Sequence, residues 1–244
     1  MNISTGNSKT GPSWSILEIA SCPYATELCK SLCYAKIGRM ALHSTRRGKN
    51  FKETIQLIQQ GLFVEKFLEL WDKTFKLPKN KFRKVYTGTL RIHDAGDFFN
   101  IQYILAWIEI AKRLPEVKFW AYTRSWRGQN LLPYLHELAG LDNVSIWISV
   151  DNQNYLEAIN CFRQNKNFAG IALMATENDQ DLIEYFTDNL NKSNLVVFPT
   201  HGYFGRLTGK VLNRSRKSKR SVPNCPAIIG KVQYIKGQTK AECL

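Results

Sequence analysis

From residue 85 onward the sequence alternates short strand-like runs with amphipathic ones, and few architectures can absorb such a pattern. Strand-like runs over residues 85–93, 117–123, 144–150, 170–175 and 195–199 are separated by helix-like runs over 101–114, 131–141, 155–164 and 179–190. In the first of those helices Ile104, Trp107, Ile108 and Ala111 fall on one side, and Pro115 ends the run. An earlier strand is expected over residues 13–20. Strands separated by helices are the signature of a parallel sheet joined by right-handed crossovers. The expected fold class is therefore α/β, a six-unit (β/α) partial barrel. An open sheet of the same strands would also fit.

At 244 residues the protein is long enough for one large domain whose core needs no covalent staple. Residues 1–12 are polar and read as disordered, 13–204 as the (β/α)6-like domain, and 205–244 as an irregular basic C-terminal tail packed on it. Residues 39–52 are basic and glycine-punctuated. Residues 51–75 carry Ile55, Ile58, Leu62, Phe63, Phe67, Leu70 and Trp71 at helical spacing, enough for two helices. Residues 77–84 read as a solvated connection. The polar start lacks the apolar centre of a signal peptide, and no apolar run approaches the roughly 20 residues that span a bilayer. A cytoplasmic protein with no membrane partner is expected.

The charge balance is +14, with Arg206, Lys210, Arg214, Arg216, Lys217, Lys219 and Arg220 clustered near the C-terminus. An excess of that size favours a polyanionic partner, most simply DNA or RNA bound through the basic surface.

Three thiols, Cys22, Cys29 and Cys33, lie within the stretch Cys22-Pro23-Tyr24-Ala25-Thr26-Glu27-Leu28-Cys29-Lys30-Ser31-Leu32-Cys33-Tyr34-Ala35. Clustered thiolates suit soft metals, so an iron–sulfur ligand loop is the reading, with a structural zinc site completed by a distant residue as the alternative. Three ligands leave one metal position open for chemistry. Cys161 falls mid-helix and reads as packing. Cys225 is a candidate fourth metal ligand, or part of a second site with Cys243.

Functional groups of parallel α/β sheets gather at the carboxyl ends of the strands, and a polar cluster follows each strand here. His93, Asp94, Gly96 and Asp97 follow the second. Tyr122 and Arg124 follow the third, where Arg124 and Arg127 suit an anion and Trp126 offers a stacking surface. Ser149 and Asp151 follow the fourth and could position a cofactor. Glycine at 96 would let backbone approach a ligand, and the carboxylates could accept hydrogen bonds from an ammonium group or ribose hydroxyls, or bind a divalent metal.

With its cysteine loop after a first strand, its Gly96-Asp97 turn after the second and its six βα units, the protein resembles the radical S-adenosylmethionine superfamily. Residues 90–99 and 119–125 look more closely like the phage-associated gene product eighty-eight family, over roughly residues 13–243. The resemblance implies that Cys22, Cys29 and Cys33 hold a 4Fe-4S cluster whose open iron chelates S-adenosylmethionine, and that Gly96-Asp97 stands where the superfamily's Gly-Gly-Glu-like turn meets the cofactor's amino group. It implies radical modification of a substrate, with nucleic acid as the candidate class. The superfamily spaces its cysteines C-x3-C-x2-C, whereas the spacing here is C-x6-C-x3-C, so the loop path must differ. Two other functions remain open at this point. One is a non-enzymatic nucleic-acid-binding protein with a structural metal site. The other is a metal-dependent hydrolase using His93, Asp94 and Asp97.

Overall fold

The computed structural model describes residues 1–7, 11–75 and 88–199. Among these residues seven strands form one sheet in sequence order: β1 (Ser4–Asn7), β2 (Gly11–Trp14), β3 (Thr89–Ile92), β4 (Lys118–Thr123), β5 (Val144–Val150), β6 (Gly170–Ala175) and β7 (Leu195–Pro199). The β1–β2 pair is antiparallel and every later pair is parallel. Among the described residues β1 and β7 are the outer strands, and no pairing joins them into a closed barrel.

The sequential order follows from the helices between strands. These are α5 (Ile101–Arg113), α6 (Leu132–Ala139), α7 (Tyr155–Gln164) and α8 (Gln180–Asn189), preceded by α1 (Glu27–Ser31), α2 (Gly38–Ala41), α3 (Ser44–Gln59) and α4 (Phe63–Phe75) in the first crossover. Local chemistry sets their ends. The Asn100 side chain accepts from the Tyr103 amide at 2.8 Å to start α5. Gly61, at φ +71°, breaks α3 from α4. At the far end of α5 the buried Asn143 amide donates to the carbonyls of Ala111, Leu114 and Val117, tying the helix to β5.

Strand alternation separates the two faces of the sheet. Leu90 and Ile92, Phe119 and Ala121, Ile146 and Ile148, Ile171 and Leu173 join the main core with the helices. Trp120, Trp147, Ala172 and Val196 point to the other face, where Tyr122 and Phe198 pack on them. The main core is centred on Trp14, whose ring meets Phe63 at 6.0 Å and Phe67 at 5.5 Å, both edge-on. At about 25 cal/mol per Å² over roughly 200 Å², each such ring contributes on the order of 5 kcal/mol before conformational entropy is subtracted.

Several expectations change. Residues 1–12 are not wholly irregular, because β1 lies there and edges the sheet. The strand expected over 13–20 is only Gly11–Trp14, and the rest of that run becomes a loop. The basic segment over 39–52 is largely α3, with Arg47 and Asn50 buried. The expected tail over 205–244 lies outside the described residues.

Gly170 explains how the sheet carries a flat indole. A Cβ there would stand 2.2 Å from Trp147 Cζ3 and 2.5 Å from the Asn194 carbonyl oxygen. Gly170→Ala is expected to destabilise the fold by about 1–3 kcal/mol through overpacking, read as a lowered urea midpoint at unchanged slope.

Candidate functional site

The site begins where β2 stops. After Trp14 the backbone enters a loop that turns through Ile19, at φ 65°, before reaching Cys22. His93, also at φ 65°, ends β3 beside it, and no other non-glycine residue among those described has positive φ. A side chain bearing a Cβ is strained in the left-handed region, a β-branched one most of all, and both strained positions flank the same rim.

Gly96, at φ +91°, meets this loop directly. A Cβ there would lie 2.4 Å from Ile16 Cγ1 and 2.7 Å from Ser21 Oγ. The close approach at Gly96 is thus made by the cysteine loop, and the Ala95 carbonyl accepts from the Ile16 amide at 3.1 Å.

Asp97 is buried and ties the next strand in. Its Oδ1 accepts from the Phe98 amide at 2.8 Å and Thr123 Oγ1 at 2.5 Å, and its Oδ2 from the Arg124 amide at 2.8 Å. Burial raises its carboxyl to about 6 against these hydrogen bonds. Arg124 then reaches Asp151, at the end of β5, with Nη1 2.8 Å from Oδ2. Asp151 also accepts from Thr26 Oγ1 at 2.5 Å and from the Gln153 amide at 2.9 Å. Thr26 in turn caps α1, its hydroxyl accepting from the Cys29 amide at 3.1 Å. One continuous set of contacts therefore joins the ends of β3, β4 and β5 to the cysteine loop.

The thiols sit along these contacts. Cys22 lies within electrostatic range of Asp97 and Cys29, and Cys29 within range of Arg124, Cys33 and Asp151. All three are half-buried and free of disulfides. Burial pushes Cys22 up, with Asp97 adding to the rise. Burial also raises Cys29, partly offset by the charge and hydrogen bond of Arg124. Behind the loop, buried Arg47 donates through Nε to Glu18 at 2.7 Å, through Nη1 to the Met40 carbonyl at 2.8 Å and through Nη2 to the Ala35 carbonyl at 2.9 Å. Burial raises the Glu18 carboxyl, and its bonds to Arg47 and its neighbours more than reverse this, leaving it below its ordinary value.

The remaining sequence candidates divide. His93 turns into the core, its Nε2 2.8 Å from the Tyr103 hydroxyl, which accepts from Trp14 Nε1 at 2.9 Å. The other ring nitrogen, Nδ1, is buried and has no partner among the described residues. Burial, with Arg91 nearby, lowers this imidazole to about 3. Asp94 accepts from Ser13 and Ser15. His93, Asp94 and Asp97 are thus engaged separately. Tyr122 lies on the sheet face carrying Trp120, and Ser149 contributes its carbonyl to Trp126 Nε1 at 3.0 Å. Cys161 packs in α7, its thiol raised by burial to about 11. Cys225 and Cys243 lie outside the described residues. Sequence reasoning passed over Thr26, Glu18 and Arg47. Thr26 carried a signal, a threonine immediately before a short helix.

Three thiols in one loop are a donor set of the kind a soft metal takes. As the side chains stand, no group of three or more His, Cys, Asp or Glu among the described residues is arranged to hold a metal ion. Also among those residues, no helix is long and apolar enough to cross a membrane.

Fold and rim define an α/β protein on a mostly parallel sheet whose carboxyl edge bears thiols and buried charge. The family model described as Gene product 88 matches residues 3–224, and the protein belongs to that family. The Gene 88 protein of Mycobacterium phage L5 is 33% identical over 144 residues, covering 55% of this chain and 54% of that protein. The Gene 88 protein of Mycobacterium phage D29 is also 33% identical over 144 residues, covering 55% and 53%. The match therefore spans about half the length of these relatives. No solved structure matches.

The two displaced titrations give a pH test. The Asp97 carboxyl, raised from 3.8 to about 6, keeps its proton longer folded than unfolded, so its contribution is lost as pH rises across that window. His93, lowered from 6.5 to about 3, stays neutral when folded, so its contribution is lost as pH falls from 6.5 toward 3. Between about pH 4 and 6 the two slopes oppose. Relative to wild type, stability of His93→Gln is expected to fall more steeply with rising pH there, and that of Asp97→Asn to rise more steeply, in urea titrations.

Proposed function

We propose that the protein is an iron–sulfur protein in which Cys22, Cys29 and Cys33 hold a 4Fe-4S cluster at the carboxyl rim of a six-unit partial barrel. The observation that carries the reading is the sharing of one rim by three disulfide-free thiols linked through electrostatic range, with Asp97 and Arg124 beside them. The sequential, parallel order of β2 to β7 is what a partial barrel requires. With S-adenosylmethionine bound, such a cluster would supply a one-electron, radical chemistry.

The protein's own residues would do the rest. Thr26 and Asp151 fix the turn that presents Cys29, and Arg47 fixes the backbone just after Cys33. Arg124 places positive charge against Cys29, which favours the thiolate a metal needs. Gly96 holds the turn against the loop, and Asp97 positions Arg124 rather than offering a free carboxylate. Substrate recognition would draw on the +14 charge, with DNA or RNA as the partner class and the reducing cytoplasm as the compartment.

Anaerobic iron, zinc and acid-labile sulfide analysis of the full-length protein, beside Cys29→Ala, checks this. About four iron and four sulfide per molecule are expected, reduced severalfold by the substitution. Zinc without iron would sink the iron–sulfur reading and favour a structural metal in a non-enzymatic nucleic-acid-binding protein.

A further inference from the structure

Of the eight large hydrophobic side chains that stand exposed among the described residues, four fall within residues 32–42: Leu32 at 39%, Tyr34 at 38%, Ile37 at 52% and Leu42 at 80%. Scattered single exposures are ordinary, but four so close together mark a surface that meets a partner. Leu32 and Tyr34 flank Cys33, and Ile37 and Leu42 bracket α2.

The same stretch is basic. Residues 28–52 contain seven lysines or arginines and no aspartate or glutamate. Carboxylates outside the stretch answer three of these cations: Lys30 lies 2.7 Å from Glu27, Arg47 2.7 Å from Glu18 and Lys49 3.9 Å from Glu53. Lys36, Arg46 and Lys52 are exposed and enter no ion pair among the described residues. The Arg47 guanidinium, in the first turn of α3, reaches the Ala35 and Met40 carbonyls, so the loop bearing Lys36 lies against the helix start bearing Arg46. Along α3 Arg46, Lys49 and Lys52 recur every three residues, all exposed, over about 9 Å of helix axis.

A second copy of the chain would set these cations against themselves. The core of a protein–protein interface is depleted in charge, whereas Lys36 lies between Tyr34 and Ile37. A bilayer would gain little, because a single myristoyl chain anchors only marginally and Ile37 and Leu42, the two side chains more than half exposed, carry fewer carbons between them. Double-stranded nucleic acid would meet the cations and leave the apolar side chains in water. A single strand joins anionic phosphates to bases with apolar faces, and so matches both halves of the surface.

We propose that the surface over residues 32–52 binds single-stranded nucleic acid, with phosphates on Lys36, Arg46 and Lys52 and bases against Tyr34 and Leu42. The strand then runs past Cys33, beside the thiol rim. The proposal rests on nucleic acid being the partner class of the proposed function. It needs no metal, and it is distinct from binding through the basic run over residues 206–220.

The test is fluorescence anisotropy of a labelled single-stranded oligonucleotide with the full-length protein, repeated across a salt series. Each phosphate contact on a single strand contributes about 0.7 to the slope of log affinity against log salt. Lys36→Gln, Arg46→Gln and Lys52→Gln combined are expected to lower that slope by about two and the affinity at low salt by about tenfold or more. Tyr34→Leu and Leu42→Ser are each expected to weaken binding about fivefold at unchanged slope, because stacking and apolar contact release no counterions. All five side chains are exposed, so the variants should keep the circular dichroism of wild type. The matched duplex should bind more weakly than the strand. If wild type binds the strand and the triple variant keeps its slope, this surface is refuted while the nucleic-acid reading stands. If wild type binds neither strand nor duplex, both fall. Equal binding of the duplex, binding of phosphatidylglycerol vesicles in place of the strand, or wild-type affinity in both apolar variants also overturns the proposal.

Discussion

The carboxylate of Asp151 is the point on which the rim is assembled. It is fully buried at the end of β5, and a bare charge there would be prohibitively costly without partners. Thr26, Arg124 and the Gln153 amide supply them, each from a different part of the sequence. The partners are themselves committed. Thr26 gives its acceptor lone pair to Cys29, and the Arg124 amide is held by Asp97. Removing either charge of such a buried pair typically costs about 3–5 kcal/mol, because the survivor is left uncompensated. The position of Cys29 is therefore set by strand ends far away in sequence rather than by its own loop.

A second tie works from the opposite side. Arg47 reaches back from α3 to Glu18 and to the Ala35 and Met40 carbonyls, so both flanks of the cysteine loop are anchored to one guanidinium. Lysine could not reproduce this, since only the planar fork places three nitrogens at once. Between the two ties the backbone accepts left-handed geometry at Ile19 and His93. Strain of about 1–3 kcal/mol at each such position persists only where the surroundings over-determine it, and here the buried Trp14–Tyr103–His93 hydrogen-bond series and the Asp151 network do so.

Much of this architecture was legible because periodicity is a local property. The runs at 117–123, 144–150 and 170–175 carry enough apolar residues to declare strands on their own, and their order follows from the helices between them. The limits were equally physical. Residues 13–20 are apolar enough for a strand, yet the buried Ile16 packs on Gly96 and the backbone turns at Ile19, so pairing stops at Trp14. Arg47 was hidden in a basic run, because burial of an arginine depends on a carboxylate 29 residues away. Trp120 and Trp147 were hidden for the converse reason. In strands buried on both faces the sequence is continuously apolar, and nothing local marks which residues turn from the helices.

The same physics bears on the spacing of the thiols. Cys22 precedes the Thr26 cap, Cys29 lies inside α1, and Cys33 follows the Leu32 residue that ends it. The six residues between the first two thiols are thus a turn plus the opening of a helix, and the three between the second and third are its remainder. Cys29 and Cys33 lie within electrostatic range of one another although Cys33 is beyond the helix end. Such a short helix is marginal by itself, and it holds here because Thr26 caps it and the Gln153 side chain accepts from the Leu28 amide at 3.1 Å. The longer cysteine spacing is therefore filled by a capped turn of helix whose placement is set by the ends of β4 and β5 rather than by its own sequence.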